Sequence, residues 1–557
     1  MARAPLAIPQ LDLNQAQRWR TLALPHVFER GGIEAGRAAI VYGAQQRTWG
    51  ELKSQLRRVG NALVALGIEP GQRVALLSKN RLEYFEIETG IAAACAIMVP
   101  INWRLKQMEL ESILNRSGAV AIILEAEFAD MVRALQREGR VPQLNTLILI
   151  EDAPQYGELT LGEITSRVGD APVPREPHFE DPHEIIFTSG TTGQPKGAVW
   201  THAGLFFNSI QQVIDYRMGP ESSTYAMIDL FYVGGRHDLT WAALHAGGTV
   251  HIKPSSGFDA LACVEYVCKH CITHVLWVPT MIYDILRVPE LASFDTSHLR
   301  MIMCGGQVLS PEIVKRMQQI FPHTDFVQVY GLTEGGGSVT CMPAHMTRVK
   351  PSSSGRPSIN VSIRISGEDG KDCPPNVDGE ILVRAPSVTV GYWDDPETTA
   401  QQIEDDWLRT GDIGHLDEDG YIYVTGRKKD MIKSGGMNIY PSEIEDVLRL
   451  HPAVRDAVVI GIPHEKWGEQ VCAIVETKEK ADVSEAALID WCAERLAGFK
   501  KPTWVRTVDA MPRTSSGKPQ KFILRERFGR SGDPPAHPCP PTGSHKETIP
   551  CVSSASS

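Results

Sequence analysis

The residues best suited to do chemistry lie in Phe187-Thr-Ser-Gly-Thr-Thr-Gly-Gln-Pro-Lys-Gly197, where glycines, hydroxyls and one lysine crowd between apolar runs at residues 184–187 and 198–200. Glycine lets backbone N–H groups approach an anion, the hydroxyls add donors, and Lys196 adds positive charge. A loop so built suits a polyphosphate. It lacks the Gly-Lys-Ser/Thr ending of the P-loop, so that hydrolase pattern does not follow. A plain Gly/Ser/Thr turn is the bland alternative, disfavoured by the lysine and the flanking strands.

Further segments follow in order: Tyr330-Gly-Leu-Thr-Glu334, Gly355-Arg-Pro357, Trp407-Leu-Arg-Thr-Gly-Asp412, Gly426-Arg427 through Ser434-Gly-Gly436, and Pro512-Arg-Thr-Ser-Ser-Gly-Lys518. Together with residues 187–197 they resemble the adenylate-forming superfamily of acyl-CoA synthetases, peptide-synthetase adenylation domains and luciferases, over roughly residues 20–528. The resemblance implies that ATP activates a carboxylic acid to acyl-AMP with release of pyrophosphate, and that coenzyme A then takes the acyl group. It also implies Mg²⁺.

By that resemblance Thr188, Ser189, Gly190, Thr191, Thr192 and Lys196 hold the β- and γ-phosphates. Tyr330 stacks on adenine, Thr333 contacts the α-phosphate, and Glu334 binds Mg²⁺, a hard cation that prefers carboxylate oxygen. Asp412 accepts from the ribose hydroxyls with Arg427 beside it, and Gly305, Gly306 and Gln307 pack against adenine and the acyl chain, where Gly331 also lies. Lys518 is the catalytic cation between the attacking carboxylate and the α-phosphate, two anions whose approach needs a positive charge. Pro519 replaces the aliphatic residue often found after it. Lys429 matches the hinge on which the C-terminal domain of relatives turns, bringing Ser434, Gly435 and Gly436 up as a pantetheine tunnel.

The acyl pocket is where the chain departs from the pattern. Residues 229–235 match a segment that in many relatives begins with Pro and carries His where this chain has Tyr232, which can gate the pocket but cannot become cationic. Asp229, Arg236, His237 and Asp238 either face the pocket, which implies an acid with polar or aromatic character, or point to solvent from a helix start. The resemblance leaves other acceptors open: an amine, in an amide synthetase, or a carrier protein. A non-catalytic binder on the same fold is disfavoured because Lys518 and Glu334 are both present.

The elements that must position these residues are legible in the texture. Between residues 73 and 280, short apolar runs alternate with amphipathic stretches such as 107–115, predicting α/β architecture with parallel sheets covered by helices. Residues 354–424 turn to short runs punctuated by Gly, Pro and Asp, predicting an all-β subdomain. The resemblance implies an N-terminal domain, residues 1–427, of two helix-flanked sheets plus a small β-barrel, and a smaller mobile α+β domain, residues 428–528. Residues 529–557, rich in Pro and Ser, read as a disordered tail.

Composition sets the outer bounds. The chain has 557 residues, 42% of them hydrophobic, and a formal charge of -11, which argues against broad affinity for nucleic acid or anionic lipid. Eleven cysteines are an odd number and scattered, which fits a reducing compartment, and no leader or spanning segment is evident, so the expected location is cytoplasmic, as a possible homodimer. Cys263, Cys268, His270, Cys271 and His274 superficially offer zinc ligands. Their surroundings read as a helix entering a buried strand, with Leu261, Val264, Val267, Cys268 and Cys271 on its apolar stripe, and no metal is assigned there.

Overall fold

In the computed structural model the described residues are 23–29, 32–151, 158–189, 195–306, 309, 311–478, 483–513 and 519–529. The chain divides into two compact units, Met1–Lys429 and Asp430–Ser557. The division falls two residues after the expected one.

The first unit holds two seven-stranded sheets. One runs in the order Leu159–Thr160, Thr146–Leu149, Ala121–Leu124, Arg73–Leu77, Ile97–Ile101, Pro182–Ser189, Pro195–Thr201, parallel until the last pair, which is an antiparallel hairpin. The other runs Asp325–Gln328, Met301–Cys304, His274–Leu276, Ser223–Ala226, Thr249–Ile252, Ala38–Tyr42, Gln45–Thr48, again parallel until a final antiparallel pair. The near-continuous apolar runs of these strands follow from burial on both faces.

A single core cluster takes in Ile40 and Val250 of one sheet, Val74 and Ile123 of the other, and two helices, Trp49–Ala65 and Tyr84–Ala93. The longer helix begins at a capping box in which Thr48 accepts from the Glu51 N–H and Glu51 accepts from the Thr48 N–H. The two helices meet at glycines: a Cβ on Gly90 would stand 2.4 Å from Val59 Cγ1, so only a bare backbone permits this approach.

The β-rich stretch forms a five-stranded antiparallel sheet in which Trp407–Leu416 pairs with Gly379–Arg384, Ile403–Glu404 and Ile422–Arg427. Its apolar face packs Ile365, Ile381, Val383 and Ile422 together with Tyr330, which ties this sheet to the Tyr330–Glu334 segment. The second unit is α+β. A long hairpin, Val454–His464 with Gly468–Thr477, is flanked by Trp504–Val508, the short pair Ile432–Ser434 and Met437–Ile439, and helices Pro441–Arg449, Glu485–Ala493 and Lys521–Phe528.

The cysteine-rich segment is a helix, Ala260–Lys269, followed by the strand His274–Leu276. Cys263, Val264 and Val267 are its buried residues, whereas Leu261 and Cys271 are exposed and Cys268 is half-buried. The apolar stripe is thus narrower than the spacing predicts. His270 stacks on Tyr266 at 4.2 Å, and His274 Nε2 lies 3.1 Å from the Tyr216 carbonyl, so both rings have protein partners.

Candidate active site

The hairpin Pro182–Ser189 with Pro195–Thr201 sets Thr188 opposite Lys196. Its tip, with Gly190, Thr191 and Thr192, lies outside the described residues, as does the side chain of Ser189. At the edge of the hairpin the Thr188 hydroxyl donates to Glu334 Oε1 at 3.1 Å, and the Tyr392 hydroxyl lies 3.4 Å from the same oxygen. The Lys196 ammonium stands 5.6 Å from the centre of the Tyr392 ring, a cation–π distance.

Tyr392 is a residue the sequence reading missed. Its segment is zipped onto the hairpin by Val199 N–H donating to the Gly391 carbonyl and Trp393 N–H to the Gly197 carbonyl, while Thr389 N–H donates to the Glu334 carbonyl. The available signal was Gly391-Tyr392-Trp393 before Asp395-Pro396: Gly391 holds φ 142°, and Asp395 caps the helix that follows. Burial, and secondarily the Glu334 carboxylate, push the Tyr392 phenol well above its usual range, so it remains a donor to Glu334.

Four residues before Glu334 a second cluster forms. The buried Tyr330 hydroxyl donates to Asp412 Oδ2 at 2.7 Å, and Arg427 Nε lies 2.9 Å from Asp412 Oδ1. Asp412 and Arg427 face each other across adjacent antiparallel strands, which fixes the pair. Burial first, and then the Asp412 carboxylate, raise the Tyr330 phenol, which stays protonated. Each Asp412 oxygen keeps a lone pair for a further donor such as a sugar hydroxyl.

Between the clusters Thr333 is half-buried, and Gly331 tolerates no side chain: its Cβ would stand 2.2 Å from the Gly337 carbonyl oxygen. Gly305 and Gly306 follow strand Met301–Cys304. A Cβ on Gly305 would meet Val329 at 2.9 Å, and Gly306 holds φ 90° with open space beside it. Gln307 lies outside the described residues.

The polar residues of the acyl segment take neither of the expected courses as a group. Asp229 pairs with Arg104 and accepts from Ser255 at 2.6 Å, a clamp completed by Asn80, which bonds both the Lys253 carbonyl and the Leu230 N–H. Arg236 and His237 turn into the interior, where Arg236 pairs with Glu184 and lies 3.1 Å from Glu88, and His237 lies 2.5 Å from Glu184. All four side chains are fully buried. A buried charge must be paired, and the partners are the carboxylates of the neighbouring strand and helix rather than water. Tyr232 packs on Phe231 at 4.1 Å, with its hydroxyl 3.5 Å from the Asn102 amide.

In the second unit Gly435 (φ 57°) and Gly436 (φ 80°) form the two-residue turn between Ile432–Ser434 and Met437–Ile439, a hairpin turn that needs both in the left-handed region. A Cβ on Gly435 would press on the Trp467 ring at 2.8 Å, whereas Gly436 has open space around it. Lys518 lies outside the described residues. Arg513 forms an antiparallel bridge with Pro519 and is anchored on Asp456 at 2.5 Å. Lys429 is the last residue of the first unit.

Residues 29–393 match the AMP-binding enzyme family and residues 443–518 match the AMP-binding enzyme C-terminal domain. The chain belongs to the AMP-binding enzyme family. It is 36% identical over 493 residues to feruloyl-CoA synthase of Amycolatopsis sp, covering 88% of this chain and 96% of the relative. It is 34% identical over 512 residues to indoleacetate–CoA ligase of Aromatoleum aromaticum, covering 90% and 98%. The crystal structure of the anthranilate CoA ligase AuaEII with anthranoyl-AMP superposes with a TM-score of 0.84 at 27% identity, covering 91% and 97%. The chain is accordingly an AMP-forming acid–thiol ligase using ATP and coenzyme A. No helix among the described residues is long and apolar enough to cross a membrane.

Proposed function

We propose that this chain adenylates an aromatic or otherwise polar carboxylic acid, and that the residues gathered around Tyr330–Glu334 carry the first step. The observation that supports it most is the placing of two clusters at the ends of one five-residue stretch: Tyr330, Asp412 and Arg427 at one end, Glu334, Thr188, Lys196 and Tyr392 at the other. The first suits a nucleoside and the second a polyphosphate, so an α-phosphate falls at Thr333 between them.

In this reading a carboxylate oxygen of the acid attacks the α-phosphorus and pyrophosphate leaves, its charge met by Lys196 and the hydroxyls of the hairpin. Lys518 neutralises the approach of the two anions. After rotation about Lys429, the thiolate of coenzyme A, led past Ser434, Gly435 and Gly436, attacks the acyl carbonyl and AMP leaves. Relatives acting on ferulate, indoleacetate and anthranilate support an aryl acid as the substrate.

The Glu334 environment fits Mg²⁺. Its partners among the described residues are two hydroxyls rather than cations, an all-oxygen set of the kind Mg²⁺ takes with phosphate. Glu334 and Thr188 would hold the ion, which would offset phosphate charge. Glu334→Gln is expected to raise the Mg²⁺ concentration at half-maximal pyrophosphate release by roughly tenfold or more, about the effect of losing one charged ligand contact; an unchanged Mg²⁺ titration would remove Glu334 from this role.

For the second step, Gly436→Leu is expected to slow thioester formation at least about tenfold while ATP–pyrophosphate exchange persists, because the side chain both fills space open at this turn and strains its left-handed backbone. Equal loss in both assays would contradict a tunnel at Gly436. The whole reading is tested by assaying acid-dependent pyrophosphate release over a panel of aryl and fatty acids: release with aryl acids is expected, and none with any acid would overturn it.

A further inference from the structure

Lys196 and Glu334 carry opposite charges and lie close together, yet the structure holds them apart. Thr188 and Lys196 are opposite each other across an antiparallel hairpin, which puts their side chains on one face. The Thr188 hydroxyl already touches Glu334 Oε1 at 3.1 Å. A lysine stem spans that single step, so an ion pair between Lys196 and Glu334 is the arrangement that charge alone favours. Instead the Lys196 ammonium stands 5.6 Å from the centre of the Tyr392 ring, and the Tyr392 hydroxyl stands 3.4 Å from Glu334 Oε1. Among the described residues no carboxylate forms an ion pair with that ammonium.

The ring and the carboxylate are each fixed from elsewhere. Ala198, two residues along the strand from Lys196, bridges Tyr392 in antiparallel register, which makes Lys196 and Tyr392 diagonal neighbours. The Tyr392 N–H donates to Thr399 Oγ1 at 2.9 Å, and the side chain is largely buried. Glu334 is held through its backbone, whose carbonyl accepts from the Thr389 N–H. Helix His202–Asp215, which directly follows the Lys196 strand, braces the hairpin around Glu334: Asn208 donates to the Gly336 carbonyl, Gln211 to that of Ser338, and Gln212 to Asn208 Oδ1 at 2.7 Å. Of the three groups, the lysine stem is the one without a fixing bond among the described residues, and the ring stands between it and Glu334.

We propose that Tyr392 is a positioning residue for adenylation, a divider that keeps Lys196 and Glu334 from neutralising each other, so that the lysine stays available to the β- and γ-phosphates and the carboxylate to Mg²⁺. The inference rests on the adenylation reading above and adds the device that keeps its two charged groups usable. A cation resting over a ring is held weakly and keeps its N–H groups for a phosphate. An ion pair would have to open before either ligand bound, and the fraction of molecules caught in it would be lost from the apparent affinity. The Tyr392 hydroxyl meets Glu334 with a neutral donor where a cation would otherwise sit.

The test measures equilibrium binding of ATP and of AMP to the full chain without Mg²⁺, by calorimetry, in wild type, Tyr392→Leu, Glu334→Gln and the double variant. AMP lacks the β- and γ-phosphates, so the ratio of the ATP to the AMP dissociation constant isolates the lysine from general damage to the nucleotide site. Tyr392→Leu is expected to raise that ratio about tenfold, the effect of one interaction with a charged group, because Lys196 then pairs with Glu334. In the Glu334→Gln background the same substitution should move it by less than about twofold, since a neutral amide does not capture the lysine. Tyr392→Phe keeps the ring and should keep the wild-type ratio; if the Leu variant does not fold, the Phe variant decides, and a raised ratio there overturns the proposal. An unmoved ratio in Tyr392→Leu, or an equal rise in both backgrounds, overturns it too. Acid-dependent pyrophosphate release by wild type is followed separately: its presence beside any of these results leaves adenylation standing, and its absence with every acid overturns the adenylation reading and this inference with it.

Discussion

Lys518→Ala is expected to lower acid-dependent ATP–pyrophosphate exchange by roughly 10²–10³-fold, the loss found when a preorganised charge-stabilising group is removed from a transition state. Thioester formation from supplied acyl-AMP and coenzyme A should be largely retained. The split follows from charge. In the first step a carboxylate must reach an α-phosphate that already repels it, so a cation that is stronger there than in the ground state lowers the barrier. In the second step the acyl carbon is electrophilic and the leaving AMP already carries its charge, so the same cation contributes little. The check is to measure the two half-reactions separately on one folded preparation. Equal damage to both would remove Lys518 from its assigned role.

The largest effect on stability is expected from Arg236→Leu. Arg236 lies at the centre of a fully buried group in which its guanidinium pairs with Glu184, stands 3.1 Å from Glu88, and donates to the Leu230 carbonyl at 2.7 Å. His237 approaches Glu184, and His183 and Trp241 approach Glu88 Oε1 at 3.3 and 3.2 Å. Burial alone would raise the Glu184 carboxyl; Arg236 and His237 outweigh it and hold it below its usual value. With the guanidinium gone, two carboxylates remain in the interior without the cation that paired them. Breaking a buried pair in this way costs about 3–5 kcal/mol. The denaturant midpoint of the first unit should fall accordingly. Replacing Glu184 by Gln in the same chain should recover part of the loss. An unfolding free energy within about 0.5 kcal/mol of wild type, as for an ordinary surface substitution, would contradict the account.

What was legible in the sequence was what is local. The apolar runs that became parallel strands, the Gly/Ser/Thr loop between two strands and the Tyr330–Glu334 stretch are each written in a few adjacent residues. What was not legible depends on partners far away in the chain. Arg236 and Glu184 are 52 residues apart, and Arg104 and Asp229 are 125 apart. Read singly, a charged side chain suggests solvent, and only the pairing reveals that Arg236 is an interior residue while Asp229 is a clamp.

The same holds for Asn208, Gln211 and Gln212. Their spacing puts them on one helix face, yet an amide looks alike in sequence whether it faces water or braces a loop. Gln211 and Ser338 are 127 residues apart. Tyr392 was missed because its role comes from where its strand-like segment is laid, against Gly197 and Val199, and not from its immediate neighbours. The aromatic substitution at Tyr232 was visible. Its surroundings, Phe231 and Asn102, were not.

The central claim is that one centre makes a mixed anhydride of an acid with AMP and then spends it on a thiol. Its most direct test is a single-turnover reaction of the full chain with α-labelled ATP, Mg²⁺ and a hydroxylated aryl acid, quenched and resolved by mass before and after coenzyme A is added. The account predicts acyl-AMP and pyrophosphate in the first sample, and AMP with the acyl thioester in the second. Formation of ADP and inorganic phosphate, or a thioester that appears without any acyl-AMP preceding it, would contradict it.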